Sequence, residues 1–232
     1  MGRNRIHHAT LRVFSLSALF ACAFGALALL ATAFDFDAFV QLAARRYGAR
    51  TEQVAGQWRN LLTASRTLPE VERVRKVNDF FNRQITYKED SEVWGQSDYW
   101  ATPLETMGRG AGDCEDFAIA KYFSLLLAGL PADRLRLTYV KAKIGGRYSN
   151  ISIAHMVLGY YPETNDEPLI LDNLLADIRP ASQRPDLTPV FSFNTEGLWV
   201  GNAPGGTSAG SSTSRLSRWR DLLSRMKAEG FE

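Results

Sequence analysis

An α+β fold is predicted for this chain, with helices in the first half and an antiparallel sheet in the second. Two observations carry the prediction. Up to about Leu127 the apolar residues recur every three or four positions, the spacing of a half-buried helix. From Leu135 onward they alternate, the period of a strand with one buried face. Helical pieces grouped ahead of strand pieces, rather than interleaved with them, indicate an α+β arrangement and not a parallel α/β sheet.

Each element has its own signal. From Asp37 to about Arg66, Phe39, Val40, Ala43, Ala44 and Tyr47 and then Val54, Trp58, Leu61 and Leu62 keep a helical period, with Gly48 as a break. Val71, Val74, Val77, Phe80 and Phe81 repeat it between Pro69 and Arg83, and Pro69 suits a first helical turn. The next stretch holds Tyr87, Trp94, Tyr99 and Trp100 without a clear period, which fits either a loop-rich wall around a cleft or the flank of a core. Asp113 to Leu127 is the strongest helix signal. Gly110 to Gly112 reads as a flexible approach, Asp113 as N-cap and Asp116 as its capping-box partner, and Gly129 and Pro131 end it. Leu135–Ala142, Ile153–Tyr161 and Leu169–Asp172 read as strands, with a turn at Gly145-Gly146. Residues 203–214 are almost wholly Gly, Ser, Thr, Ala and Pro and read as a linker. In 215–232, Leu216, Trp219, Leu222, Leu223 and Met226 share one helical face. An exposed stripe of that kind promotes association, so the helix is expected to pack on the domain rather than wait for a partner.

The ends of the chain differ in charge. Arg3, Arg5 and Arg12 precede an apolar run that closes on Ala31-Thr32-Ala33, the pattern of a secretory signal with an A-x-A cleavage site. The alternative is an uncleaved anchor, because Val13 to Leu30 runs 18 residues without a charge. Leu19-Phe20-Ala21-Cys22 hints at a lipoprotein site, but the apolar run continues past Cys22 and Phe20 suits such a site poorly. With cleavage or without it, residues 34–202 are expected to form a domain on the far side of the inner membrane. The leader holds three of the 27 basic residues and none of the 25 acidic ones, so the formal charge falls from +2 to −1 without it. That balance gives no electrostatic drive toward nucleic acid or an anionic membrane.

Removing residues 1–33 also leaves Cys114 as the single cysteine and His155 as the single histidine. A lone thiol in an oxidising compartment closes no internal disulfide. Cys114 falls in the first turn of the strongest helix, where unpaired N–H groups and the helix dipole favour a thiolate. Its own N–H is placed to donate to an oxyanion. His155 follows 41 residues later inside an apolar strand, and Asp172 ends the next strand 17 residues beyond. A carboxylate there reaches the imidazole of a neighbouring strand and fixes its tautomer. The alternatives are a core histidine and an aspartate that merely caps a turn with Asn173. Asp113, Glu115 and Asp116 work against a thiolate unless a hard cation sits among them. Acids are also favoured at helix starts, so the residues alone leave both readings open. For a second oxyanion donor, Trp94, Trp100 and Gln84 are the guesses.

Gly112-Asp113-Cys114-Glu115-Asp116-Phe117-Ala118 resembles the LapG family of periplasmic bacterial transglutaminase-like cysteine proteinases. Ala154-His155-Met156-Val157-Leu158, Leu171-Asp172-Asn173-Leu174 and Pro189-Val190-Phe191-Ser192-Phe193-Asn194 are similar too, so the likeness runs from about residue 36 to 202. The resemblance implies a papain/transglutaminase-like fold with Cys114 as nucleophile, His155 as base and Asp172 as its orienter. It implies bound Ca2+, held by Asp113, Glu115 and Asp116. It further implies a periplasmic endopeptidase that cuts a large surface adhesin near its N-terminus, beside paired alanines, and so frees cells from a biofilm. An inner-membrane receptor sensing cyclic di-GMP would sequester it. The rival expectations are a transamidase or amidase using the same triad, and a calcium-gated binding module without catalysis.

Overall fold

The first apolar run is two helices, α1 (Phe36–Tyr47) and α2 (Ala49–Ser65), joined at Gly48. Gly48 has φ 85°, a backbone state that side chains resist. The structure is a computed structural model describing residues 34–145, 149–164, 166–200, 207–208 and 217–231. The expected leader therefore lies outside the described residues, as does most of the expected linker. Among the described residues no helix is long and apolar enough to cross a membrane.

Helix α3 (Glu70–Gln84) starts directly after Pro69 and buries Val74, Val77 and Phe81. Beyond it the chain makes β1 (Thr86–Tyr87), α4 (Asp90–Val93), α5 (Pro103–Arg109) and β2 (Ala111–Gly112). Helix α5 carries a complete capping box between Thr102 and Glu105, with Pro103 in its first turn. Strands β1 and β2 pair in parallel, so Ala111 and Gly112 are buried and hydrogen-bonded and do not form a flexible approach. A glycine pair reads as loose in sequence, and here a partner 25 residues upstream immobilises it.

Helix α6 (Cys114–Leu127) is enclosed by the other elements along most of its length. Trp58 of α2 donates to Ser124 Oγ at 2.7 Å, and Ser124 donates in turn to Ala120 O at 2.6 Å. Against α6 lies a sheet of β3 (Leu135–Ile144), β4 (Ile151–Tyr160), β5 (Leu169–Leu171), β6 (Arg179–Pro180), β7 (Leu187–Phe193), β8 (Leu198–Val200) and β9 (Thr207–Ser208). Its order is β6-β5-β4-β3-β7-β8-β9, and each pair is antiparallel. The α+β architecture expected from the apolar spacing is thus the one found, with β3 and β4 each longer than the alternation suggested. Thr207 and Ser208 fall inside the expected linker and pair with β8.

Helix α7 (Ser217–Lys227) packs on the domain. Trp219 is 0% exposed, 5.2 Å from the Phe193 ring and 5.6 Å from that of Phe123, while Phe231 lies 4.7 Å from Phe34. Arg225 spans the tip of the aromatic stretch, donating to Trp100 O at 2.6 Å and to Glu105, with its guanidinium 4.5 Å over the Tyr99 ring. Trp100 is therefore core, stacked at 5.7 Å on Phe193, whereas Tyr87 is exposed. Trp219→Ala is expected to cost about 3–5 kcal/mol in urea denaturation, the range for emptying a buried aromatic site. A loss under about 1 kcal/mol would show that α7 is not part of the core.

Candidate active site

Three elements deliver the predicted triad. Cys114 opens α6, His155 is the first buried residue of β4, and Asp172 directly follows β5. The β4–β5 register pairs Leu158 with Leu171, which sets Asp172 alongside the His155 end of β4. His155 Nε2 lies 2.7 Å from Asp172 Oδ1, and the two residues are 2% and 1% exposed. With Nε2 engaged by the carboxylate, Nδ1 is the nitrogen left to exchange a proton with a thiol.

Asp172 is held on every side. Its Oδ1 also accepts from the Leu174 N–H at 3.0 Å, and Oδ2 accepts from Arg184 at 2.7 Å. Its carbonyl accepts from Asn82 at 2.9 Å and from buried Lys121 at 3.2 Å. Burial alone would raise the Asp172 pKa. The hydrogen bond and charge of His155, with Arg184 and the Leu174 N–H, outweigh it and hold the carboxyl at about 2. Lys121 goes the other way, because burial pulls its amine down to about 7 despite Asp172 and Asp79.

The sign of the Asp172 shift sets a pH prediction. A folded value of about 2 against the ordinary 3.8 contributes stability that is present above 3.8 and lost as pH falls through 2. The difference corresponds to about 2 kcal/mol at neutral pH. Asp172→Asn should lose at least that much in urea denaturation at pH 7, with the gap to wild type narrowing between pH 4 and 2. A gap independent of pH would remove Asp172 as the source.

The thiol itself faces acids. Cys114 Sγ donates to Glu115 Oε2 at 2.7 Å, and Tyr139 reaches the other Glu115 oxygen at 3.4 Å. Burial first, then Glu115 and Asp113, push the Cys114 thiol well above its ordinary value, while the Met156 backbone works to lower it. The expectation that these carboxylates oppose a thiolate therefore holds in the folded protein.

The acidic residues divide into two groups. Asp113 and Glu115 flank Cys114 with ligand atoms within 4.8 Å of one another. Asp113 and Asp116 form a second such group with Asp90. Asp90 is the residue that sequence reasoning missed: it lies in the aromatic stretch, where no period marks it. Asp116 Oδ1 accepts from the Ala101 N–H at 2.7 Å, and Asp113 caps the Glu115 N–H at 3.2 Å. Gly112 makes room for this, since a Cβ there would stand 2.5 Å from Asp116 Oδ2. Asp90 Oδ1 and Asp116 Oδ2 are buried without a hydrogen-bond partner. Burial and mutual repulsion raise Asp90, Asp113 (to about 9) and Asp116 together. Orphaned, converging, all-oxygen donors of this kind fit a hard divalent cation. Of the oxyanion guesses, Gln84 is spent on Gln57 at 3.4 Å, while the indole N–H groups of Trp94 and Trp100 are buried without partners. Arg184 was also missed. The run Gln183-Arg184-Pro185-Asp186 has no period, and its role depends on the loop returning to β5.

A family model described as bacterial transglutaminase-like cysteine proteinase matches residues 45–188. The chain belongs to this family. The proteinase is also similar to solved structures of Legionella pneumophila LapG. One is 40% identical, with TM-score 0.70, over 83% of this chain and 97% of that one. The calcium-bound LapG structure is 42% identical, with TM-score 0.70, over 83% and 99% of the two chains. An EGTA-treated one is 40% identical, with TM-score 0.71, over 83% and 97%. No match is found among curated proteins. The fold of the proteinase is accordingly the transglutaminase-like protease fold implied by the sequence resemblance.

Proposed function

We propose that this proteinase is a calcium-dependent endopeptidase acting through an acyl-enzyme on Cys114. The observation that carries the reading is the buried 2.7 Å contact between His155 Nε2 and Asp172 Oδ1, with His155 on a strand packed against the helix that Cys114 begins. In the reaction, His155 takes the thiol proton at Nδ1, and the Cys114 sulfur attacks the scissile carbonyl. Asp172 holds the ring in one tautomer and stabilises its charged form. The Cys114 N–H donates to the oxyanion at the first turn of α6. His155 returns the proton to the leaving amine, and a water activated by the same ring releases the acyl group.

Asp90, Asp113 and Asp116, with Glu115 at the thiol, would hold the calcium. The calcium named for the LapG structure supports the choice of ion. When bound, it supplies positive charge that offsets the carboxylates raising the thiol. Asp116 and the Ala101 N–H keep the donor set in place, and Gly112 lets the helix start approach it.

The chain is read as working in the periplasm after export. Its substrate would be a large repeat-containing surface adhesin, cut near the N-terminus so that cells leave a biofilm. An inner-membrane receptor for cyclic di-GMP would restrain it. Membership of the proteinase family and the likeness to LapG support this reading. The test is incubation with an N-terminal adhesin fragment in calcium. Two products whose masses sum to the substrate plus one water support proteolysis. Incorporation of an added amine, or cross-linked product, would assign a transamidase instead.

A further inference from the structure

The face of the sheet away from α6 carries a second concavity. Along β3, Leu135, Leu137 and Tyr139 pack with the helices, so the alternating Arg136, Thr138 and Val140 point to the other side. They line a cavity of about 440 Å3, within the ~300–1,000 Å3 range of small-ligand sites and walled mainly by apolar side chains. Arg136 is 5% exposed, yet it lies in this wall. Its guanidinium sits 4.6 Å from the Tyr161 ring and 4.4 Å from the Trp199 ring. Rings over the guanidinium leave its N–H edge as the place for a polar partner.

A counter-charge is missing among the described residues. No carboxylate pairs with Arg136, and its Nε is buried without an acceptor. The other charges of the cavity have partners of their own. Arg184 is paired with Asp172 and Asp186 and keeps only Nη1 without a partner, and Glu167 takes the Ser182 N–H at 2.5 Å. A buried cation without a counter-charge is costly, and an apolar concavity around it selects what can supply that charge.

We propose that this cavity is a ligand pocket for a carboxylate carried on an apolar body, anchored edge-on by Arg136. A small apolar acid and the C-terminal carboxylate of a peptide share that chemistry. Arg184, in the same wall, holds Asp172, so an occupant borders the residue that steadies the partner of His155.

The test is calorimetric titration of the purified protein with 4-phenylbutyrate and with a tetrapeptide ending in Leu, each beside its neutral amide. At least one acid should bind, its amide roughly 10- to 100-fold more weakly, the range for a lost charged hydrogen bond. Arg136→Met should weaken the acid by the same factor. Gly159→Leu fills part of the cavity while keeping the Arg136 guanidinium, because a Cβ there meets Pro168 and Tyr161 at 3.5 Å and the Arg136 carbonyl at 3.7 Å, all ordinary contact distances. It keeps the test decisive if Arg136→Met misfolds. Binding by only one acid identifies which source the pocket serves. The proposal is overturned if neither acid binds at ~5 mM, where even a millimolar Kd registers. It is equally overturned if acid and amide bind alike, or if the variants bind as wild type. Binding is read without turnover, so failure here leaves the peptidase reading untouched.

Discussion

Cys114→Ala should abolish peptide hydrolysis, to below about 10⁻⁴ of the wild-type rate, because among the described residues no second thiol can take over the acyl group. The side chain is small, and its hydrogen bond goes to a single acid, Glu115. Melting should therefore shift by no more than about 1 kcal/mol equivalent. His155→Gln should lose activity to a similar degree while preserving the fold less well, since it leaves the Asp172 carboxylate buried beside Arg184 with one partner fewer. The measurement is fragment formation on the proposed adhesin substrate, with circular dichroism as a fold control. Substantial cleavage by Cys114→Ala would refute the nucleophile, and unchanged adhesin release by that variant in cells would favour a binding module.

Chelation should have an effect nearly as large. In excess EGTA, hydrolysis should fall at least ~100-fold and return when calcium is restored, because burial and the neighbouring acids otherwise raise Asp113, and burial, Glu115 and Asp113 raise the thiol. Asp116→Asn separates the two roles of the cluster. It removes a buried charge, so in chelator the variant should melt above wild type. It also removes a donor, so the rise in melting temperature on adding calcium should shrink. Asp90→Asn should behave likewise, because Asp90 Oδ1 is the other buried oxygen without a partner. Full activity in chelator, or an undiminished calcium shift in both variants, would dispose of this site.

How much of this was legible in the sequence follows from the range of each interaction. Helix α6 and its cap are local, and their residues announce them. Cys114 and His155 were legible as candidates by elimination: once residues 1–33 are set aside, one cysteine and one histidine remain. Asp172 was visible because a strand end beside a histidine strand is a short-range relation. Asp90 and Arg184 were not, since each reaches its partner only after a loop without periodicity has closed. The same reason hid β1 and β2. Two-residue strands have no period, and their pairing is decided by chain segments that meet late. Strand β7 was masked by Pro189, which interrupts the alternation and coincides with a register shift against β3. Of the two readings of the aromatic stretch, the core flank is the one Trp100 meets, and Asp90 from the same stretch stands at the acid cluster.

The clamp of Arg225 on Trp100 has a bearing on when the molecule becomes competent. The Ala101 N–H that steadies Asp116 belongs to the segment whose Trp100 carbonyl is tied down by α7, more than a hundred residues later in the chain. A polypeptide threaded N-terminus first presents Cys114, His155 and Asp172 well before that brace exists. The acid cluster beside the thiol is then shaped only once the final helix has docked, so maturation ends where the chain does its last folding. Trimming the chain before Trp219 should accordingly leave a domain that holds Cys114, His155 and Asp172 but responds weakly to calcium.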